Sequence, residues 1–544
     1  MIPENLSTQR AGTKITIEQE VPYAIAQPVP FQSLAEGVPY NAADESSVWE
    51  LAGVLFDNYD DEISDSVPPA QRLAFEHRIR KDRLSKFWEN LCTKKGQEAV
   101  ASAPTAEERA IAHLSMHRVA EACDVLVEGK DFRLATLVAQ MGSDQIMQED
   151  MAKQLAEWRR LNVLSEMTES VRALYELVAG NSCVCEGKKG PIEDRAKTFV
   201  ISDRFNLDWK RAFGLKLWYT ILAEEPVEAA VKHFALDLEQ EETRKPIPSF
   251  AENRINQGEH LTDSQDALWG LLKLYAESKD NTDTTQLAAV VMPQNLTENP
   301  VDARFSFQLY NALKTRFPTK AESSKADRII VDFATQLDSA GEWVWAAFVL
   351  LHVSHSNERQ NALQGLIARH AVEIEDSASQ SFQTLVNEFK IPEAWIWEAK
   401  ALYARSVSQN PVKEVDYLLH AKNWDEAHNT LCRVVAPRAI VEQDYNTLQH
   451  LLDNFGGSDK VSDWGLGGQV YEDFLRLIEG PGNEEKGRLL GRLLSALPAM
   501  GKDHSGRLGF TEMVAVQDMS AIVGLAVLED KKNVSILYFN LQSS

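Results

Sequence analysis

Apolar side chains return at every third or fourth position along nearly the whole chain beyond residue 45, the spacing that gathers them on one face of a helix. Between 151 and 178 the stripe Met151, Leu155, Trp158, Leu161, Leu164, Met167, Val171, Leu174 and Val178 predicts one helix of several turns. Between 75 and 91, Phe75, Ile79, Phe87 and Leu91 make a second buried face, while Arg78, Asp82 and Lys86 are spaced for i,i+4 ion pairs on the outside. Similar stripes predict helices over 205–222, 265–276, 327–337, 343–352, 393–405, 413–420, 424–435 and 511–528. The stretches 181–195, 240–260, 278–300, 316–326, 353–360, 454–468 and 479–487 gather glycine, proline and charge, and read as loops joining helices.

One short pattern is written three times: GKDFRLA at 129–135, AGEWVWA at 340–346 and AKNWDEA at 421–427. A small residue ends one helix, a residue such as Asn423 caps the next, an aromatic wedges between the pair, and an alanine such as Ala427 lets the axes approach. This is helical-hairpin chemistry, and its uneven spacing predicts an irregular α-solenoid of antiparallel helix pairs.

The first 45 residues follow another period. Ile15, Ile17 and Val21 alternate with Lys14, Thr16, Glu18 and Glu20, as in a half-buried strand, and Pro22, Pro28, Pro30 and Pro39 then forbid helix. A lone strand on a helical body lacks a ladder of its own, so it reads as a leader or as a strand offered to another protein.

Composition narrows the class. A chain of 544 residues exceeds what one core holds, about 250 to 300 residues, so it divides or extends. With 44% hydrophobic and 25% charged residues it is globular rather than disordered. The net charge of -25 argues against direct nucleic-acid binding, because such a surface repels phosphate; residues 1–66 hold twelve acids against Arg10 and Lys14. No uninterrupted apolar run approaches the ~18 residues that span a bilayer, and MIPENLSTQR lacks a hydrophobic signal segment, so no membrane insertion is expected. Five cysteines, Cys92, Cys123, Cys183, Cys185 and Cys432, fit a reducing compartment without a disulfide framework.

Candidate chemistry is thin. NYDDEISD, with Asp60, Asp61, Glu62 and Asp65, is similar to the magnesium sites of all-helical prenyl-transfer enzymes, but it lacks a facing second acidic motif and reads as an exposed loop. His113 and His117 stand i,i+4 on a predicted helix, yet Leu114 occupies the position where a zincin carries glutamate. Cys183 and Cys185 form a CxC with no second pair nearby. Neither FGGSDK nor GPGNEEKG continues into the lysine and hydroxyl of a phosphate loop. The basic run RIRKDRLSK at 78–86 reads as a solvated face laced with ion pairs through Asp82. No enzyme activity, cofactor or metal is expected; an all-α magnesium-dependent enzyme is the distant alternative.

Five segments in one order carry a resemblance: VWELAGVLFD (48–57), RIRKDRLSKFWENL (78–91), DFRLATLVAQMG (131–142), LAEWRRLNVLSEM (155–167) and LDWKRAFGLKLWY (207–219). Together they resemble the nucleoporin ninety-six / one-four-five-C family, the C-terminal product of the self-cleaving nucleoporin and an edge subunit of the Y-shaped nuclear pore coat. The resemblance implies an all-α, irregular fold-back α-solenoid of trunk, crown and tail with a short N-terminal β arm, the coatomer-like element shared with vesicle-coat edge proteins, which supply the alternative reading. It divides the chain into a β arm (1–45), ascending trunk (46–110), crown (111–270), descending trunk (271–400) and tail (401–544). It implies a structural scaffold at the nuclear pore of the nuclear envelope, serving nucleocytoplasmic transport of mRNA and protein. The implied partners are a Sec13-type β-propeller that takes the arm through Ile15, Ile17, Val21, Phe31 and Leu34, and other Y-complex nucleoporins that meet the crown, at Val163, Leu164 and Met167, and the tail. The family supplies about three strands to the propeller where one is evident here, so the chain is expected to begin partway through that segment. The C-terminal KKNVSILYFNLQSS is expected to depart from a helical tail.

Overall fold

Helix starts in the structure follow side chains that satisfy the first free backbone amides. Thr105, Asp144, Thr168, Asp208 and Asn410 each accept a hydrogen bond from an amide two or three residues on, and each opens a helix. The computed structural model describes residues 4–36, 38, 43–59, 62–63, 67–142, 144–256, 264–280, 286–317, 323–375, 377–455, 460–500 and 509–542. It is 71% helical, and its sheets are two two-stranded pairs among the described residues. The expected all-α class holds.

The chain forms two compact units, one of residues 1–14 with 25–335 and one of residues 15–24 with 336–544. In the first, the helix Ala43–Phe56 packs on Pro69–Ser102 and on Ala267–Asp280. Trp49 meets Phe305 at 5.6 Å and Phe56 meets Phe317 at 5.3 Å, while Arg304 pairs with Glu45 and Arg316 lies 3.5 Å from Asp57. The beginning and end of this unit are therefore side by side, so the chain folds back. Its return partners for 48–57 are 267–280 and 304–317. Trp88, Phe213, Phe234 and Trp269 form the next layer, with ring separations of 4.8 to 5.4 Å.

In the second unit, Glu393–Ser406, Pro411–His420 and Trp424–Thr430 pack in succession. One apolar cluster runs from Ala401 to Val523. Its last helix, Phe510–Gln542, lays Ala515, Met519 and Val523 on the cluster at i,i+4 spacing. The C-terminal segment is helical through Gln542, unlike the expectation for 531–544. Residues Phe510–Glu529 are also long and apolar enough to cross a membrane by length and composition, because only Glu512 and Asp518 interrupt 511–528. Counting uninterrupted apolar residues missed this.

The helical-hairpin motif holds at its turns. Lys130 (φ 67), Gly341 (φ 82) and Lys422 (φ 60) take the left-handed conformation that ends one helix, and Ala135, Ala346 and Ala427 are buried. Asp131 caps Leu134, whereas Asn423 makes no backbone cap and binds Glu426 instead. Trp343 is buried, but Phe132 is 63% exposed, so the aromatic is not always a wedge.

Three further expectations are corrected. The single helix over 151–178 is two, Gln145–Arg160 and Glu169–Val178, joined by a short 3-10 turn after Asn162 (φ 62). Trp158 stacks edge-on against Tyr175 at 4.9 Å, where a straight helix would hold them roughly 25 Å apart. The segment 181–200 contains β3 (Val184–Cys185) and β4 (Phe199–Val200), paired antiparallel. A helix, Glu4–Ala11, precedes the first strand, with Leu6 buried and Gln9 Nε2 donating to the Gln308 carbonyl at 2.7 Å.

Candidate interaction surfaces

The N-terminal strand is not alone. Thr13–Glu18 (β1) turns through Gln19 (φ 49) and Glu20 (φ 66) into Val21–Ala26 (β2), an antiparallel hairpin. Both turn residues are left-handed, as a two-residue hairpin turn of the I′ type requires, yet neither is Gly or Asn. Such a turn is strained, so something else holds it.

That something is Arg359, which is 0% exposed. Its Nε donates to Pro22 O at 2.9 Å, its Nη1 to Val353 O at 2.6 Å and Ser354 O at 3.2 Å, and its Nη2 to Glu18 Oε2 at 2.9 Å. The guanidinium also lies 4.6 Å from the Tyr23 ring centre. Ala24 N donates to Leu351 O at 3.0 Å, and Ser356 Oγ to Gln19 Oε1 at 2.6 Å. Burying a charge is costly unless it is paired and hydrogen-bonded; here the hairpin's carbonyl and carboxylate supply part of that satisfaction.

The predicted arm residues therefore separate. Val21 is 3% exposed and sits on β2, across the turn from Ile15 and Ile17 rather than beside them. Ile17 is 65% exposed and Ile15 half-buried. Phe31 and Leu34 lie on the helix Phe31–Glu36 and are fully buried. Phe31 meets Trp49 and Phe56, both at 6.1 Å, and Asp57 accepts hydrogen bonds from the amides of Phe31 and Gln32. The chain's own body thus offers the strand a partner and a backbone contact, which the sequence reading denied it.

Among the crown candidates, Leu164 is 4% exposed inside the short 3-10 turn Val163–Glu166, and Val163 and Met167 are half-buried. Exposed apolar residues nearby in sequence include Val127, Phe132, Ile146, Leu161 and Ile192.

The remaining candidate chemistry disperses. Asp60, Asp61 and Asp65 lie outside the described residues; Glu62 pairs with Arg83 at 2.5 Å. The helix carrying His113 ends at Leu114, so His117 (φ 61) turns away, donates from Nδ1 to Glu89 Oε1 at 2.7 Å and stacks on Trp218 at 4.9 Å. Cys183 and Cys185 are buried; burial pushes the Cys183 thiol up to about 11, against the pull of Lys216 beside it. All five cysteines are free thiols. Among the described residues no cluster of three or more His, Cys, Asp or Glu could hold a metal.

The basic run differs from its reading as a solvated face. Arg80 is 3% exposed, and Lys81 Nζ donates to the carbonyls of Leu222, Ala223 and Glu225 at 2.6 to 3.2 Å, its pKa lowered by burial. Lys86 and Asp82 keep the exposed pairing, at 3.7 Å, and Arg83 makes another exposed pair, with Glu62. Carbonyl partners some 140 residues away leave no trace in a local pattern.

Comparison with known proteins gives these surfaces a context. Residues 108–403, more than half the chain, match the family model described as nuclear protein 96. The chain is 33% identical to nucleoporin NUP145 of Chaetomium thermophilum over 518 residues, 93% of this chain and 25% of that protein. It is 29% identical to nucleoporin nup189 of Schizosaccharomyces pombe over 80% of this chain and 24% of that protein. With nuclear pore complex protein Nup98-Nup96 of Drosophila melanogaster the identity is 26%, over 79% and 21%. The chain thus spans about a quarter of the length of these relatives.

Proposed function

The chain belongs to the nuclear protein 96 family, and from that premise we propose that it is a structural, non-enzymatic scaffold of the nuclear pore, an edge element of the Y-shaped coat that supports transport of mRNA and protein. The observation that carries this reading is that the family match falls on packed helices across 108–403. Stacked helix pairs expose long surfaces and suit assembly.

Within that role, the hairpin is the seat of a Sec13-type β-propeller. β2 has its Ala24 amide engaged by the chain's own Leu351, whereas β1 carries the more exposed isoleucine, Ile17 at 65% against Ile25 at 45%. That asymmetry supports addition of a partner strand along β1, with backbone bonds supplying affinity and Ile15 and Ile17 supplying apolar contact. Phe31 and Leu34 then act as anchors of the arm rather than as contact residues. Crown contacts with another coat subunit would use Val163 and Met167 together with the exposed Phe132, Ile146 and Leu161, leaving Leu164 in the core; the tail meets a further subunit.

The test is purification of the tagged full-length protein from its own cells, with imaging at the nuclear rim. Rim localisation and co-purification of coat subunits are expected; their absence overturns the scaffold reading. The Ile15→Glu/Ile17→Glu double variant is expected to lose the propeller and keep its helicity. Unchanged propeller recovery would remove the contact from β1.

A further inference from the structure

A groove of about 730 Å³ in the first unit lies between the C-terminal end of Pro69–Ser102, the helix Ala106–Leu114, the turn into Trp209–Leu215 and the extended stretch before Ser249. Its lining carries five cations, Lys95, Arg204, Arg211, Arg244 and Lys245, and four anions, Glu98, Glu108, Asp208 and Glu252. On a chain of net charge -25, a surface with a cation in excess is an island of opposite sign.

Three of the anions are already used: Asp208 and Glu252 flank Lys95 at 3.2 and 3.1 Å, and Glu108 lies 3.5 Å from Arg204. Glu98 is the fourth. Two cations are under-used. Arg211 is 4% exposed; its Nη2 donates to Asn206 O at 2.6 Å and its Nε lies 3.8 Å from Asp208, but its Nη1 has no acceptor among the described residues. Lys245 is exposed on the groove and has no ion pair among the described residues. A buried donor without an acceptor is destabilising; Arg211 lines the groove, and its guanidinium would gain an acceptor by turning toward a carboxylate seated there. Apolar residues share the lining: Ile111, Leu207 and Trp209 are buried, and Phe205 and Ile247 half-buried.

We propose that this groove receives an extended peptide segment of a partner protein, whose acidic side chain seats against Arg211 and Lys245 while a neighbouring apolar side chain packs on Phe205 and Ile247. A planar guanidinium is suited to a carboxylate, and the mixed lining suits a peptide rather than a bare anion. The reading does not depend on the pore assignment.

A random dodecapeptide phage library panned on the full chain, in parallel with its Lys245→Glu variant, tests this. Recovered peptides are expected to be enriched in an acidic residue next to an apolar one, and to be captured at least tenfold less by Lys245→Glu, whose far-UV helicity and thermal midpoint stay unchanged. Arg211→Met is expected to lose the same peptides. Should that variant unfold, the exposed Lys245 position still decides. Equal recovery on the parent and Lys245→Glu, or recovery without acidic enrichment, overturns the proposal. Full competition of the peptides by millimolar inorganic phosphate, with no preference for the apolar neighbour, also overturns it in favour of a simple anion site.

Discussion

Two short segments of the N-terminal region are held in opposite ways. The Phe31–Glu36 helix is anchored by apolar burial, with Phe31 and Leu34 at 0% exposure beneath Trp49 and Phe56. The hairpin tip, 15–24, is anchored by hydrogen bonds, chiefly those of one buried guanidinium that reaches Pro22 and Glu18, with Ala24 on Leu351 and Ser356 on Gln19 beside it. Apolar anchoring tolerates small shifts, because its energy scales with area removed from water. Polar anchoring is directional: it selects one seat for the hairpin and weakens sharply when the central donor is lost.

The largest expected effect is on the apolar side. Phe31→Ala leaves a cavity against Trp49 and Phe56, and should destabilise the first unit by about 3 to 5 kcal/mol, read as loss of amide exchange protection through 31–56. Arg359→Met comes next. It strands the carbonyls of Pro22, Val353 and Ser354, and should cost about 2 to 4 kcal/mol, with fast exchange confined to 15–24 and 351–359. If both variants released both segments together, the two anchors would be one cooperative unit and the contrast would collapse.

Two smaller changes sharpen the polar side. Gln19→Asn with Glu20→Gly removes the strain of two left-handed non-glycine residues and should stabilise the hairpin by about 1 kcal/mol, seen as slower exchange at β1 and β2. Glu18→Gln should change stability by less than about 1 kcal/mol, because Glu18 is 54% exposed and the backbone carbonyls still hold the guanidinium. A larger loss in Glu18→Gln would mean that charge pairing, not carbonyl satisfaction, seats the hairpin.

The same contrast explains what could be read from the chain alone. Phe31 and Leu34 are apolar residues three apart, a local signal of burial, but that the burial is against Trp49 and Phe56 rather than on a partner is set by the fold. β2 was missed because its turn, Gln-Glu, carries none of the Asn-Gly or Asp-Gly chemistry that marks a hairpin. The two-helix break after Arg160 was missed because the stripe through Leu161, Leu164 and Met167 keeps helical spacing across it; Asn162 and the Thr168 cap were the available stop and start signals. Arg359 and Lys81 belong to a third kind. The partners that seat the hairpin and Lys81 lie 337 to 341 and 141 to 144 residues away, so no window on the chain contains those interactions. Helix periodicity is a local property and was legible; the placement of buried cations is a property of the finished fold.

The separation of 337 residues between Pro22 and Arg359 has a consequence for the order of events on the ribosome. At synthesis rates of about 5 to 20 residues per second, the hairpin sequence precedes its clamp by roughly 20 seconds to a minute. During that interval the Gln-Glu turn has no tertiary support and both strand edges are available to whatever the nascent chain meets. A strand partner of the kind proposed above would meet the hairpin before Arg359 is made, and the arginine would close over it afterwards. Assembly during translation would be the natural route for such a hairpin, with the late-arriving cation acting as the latch.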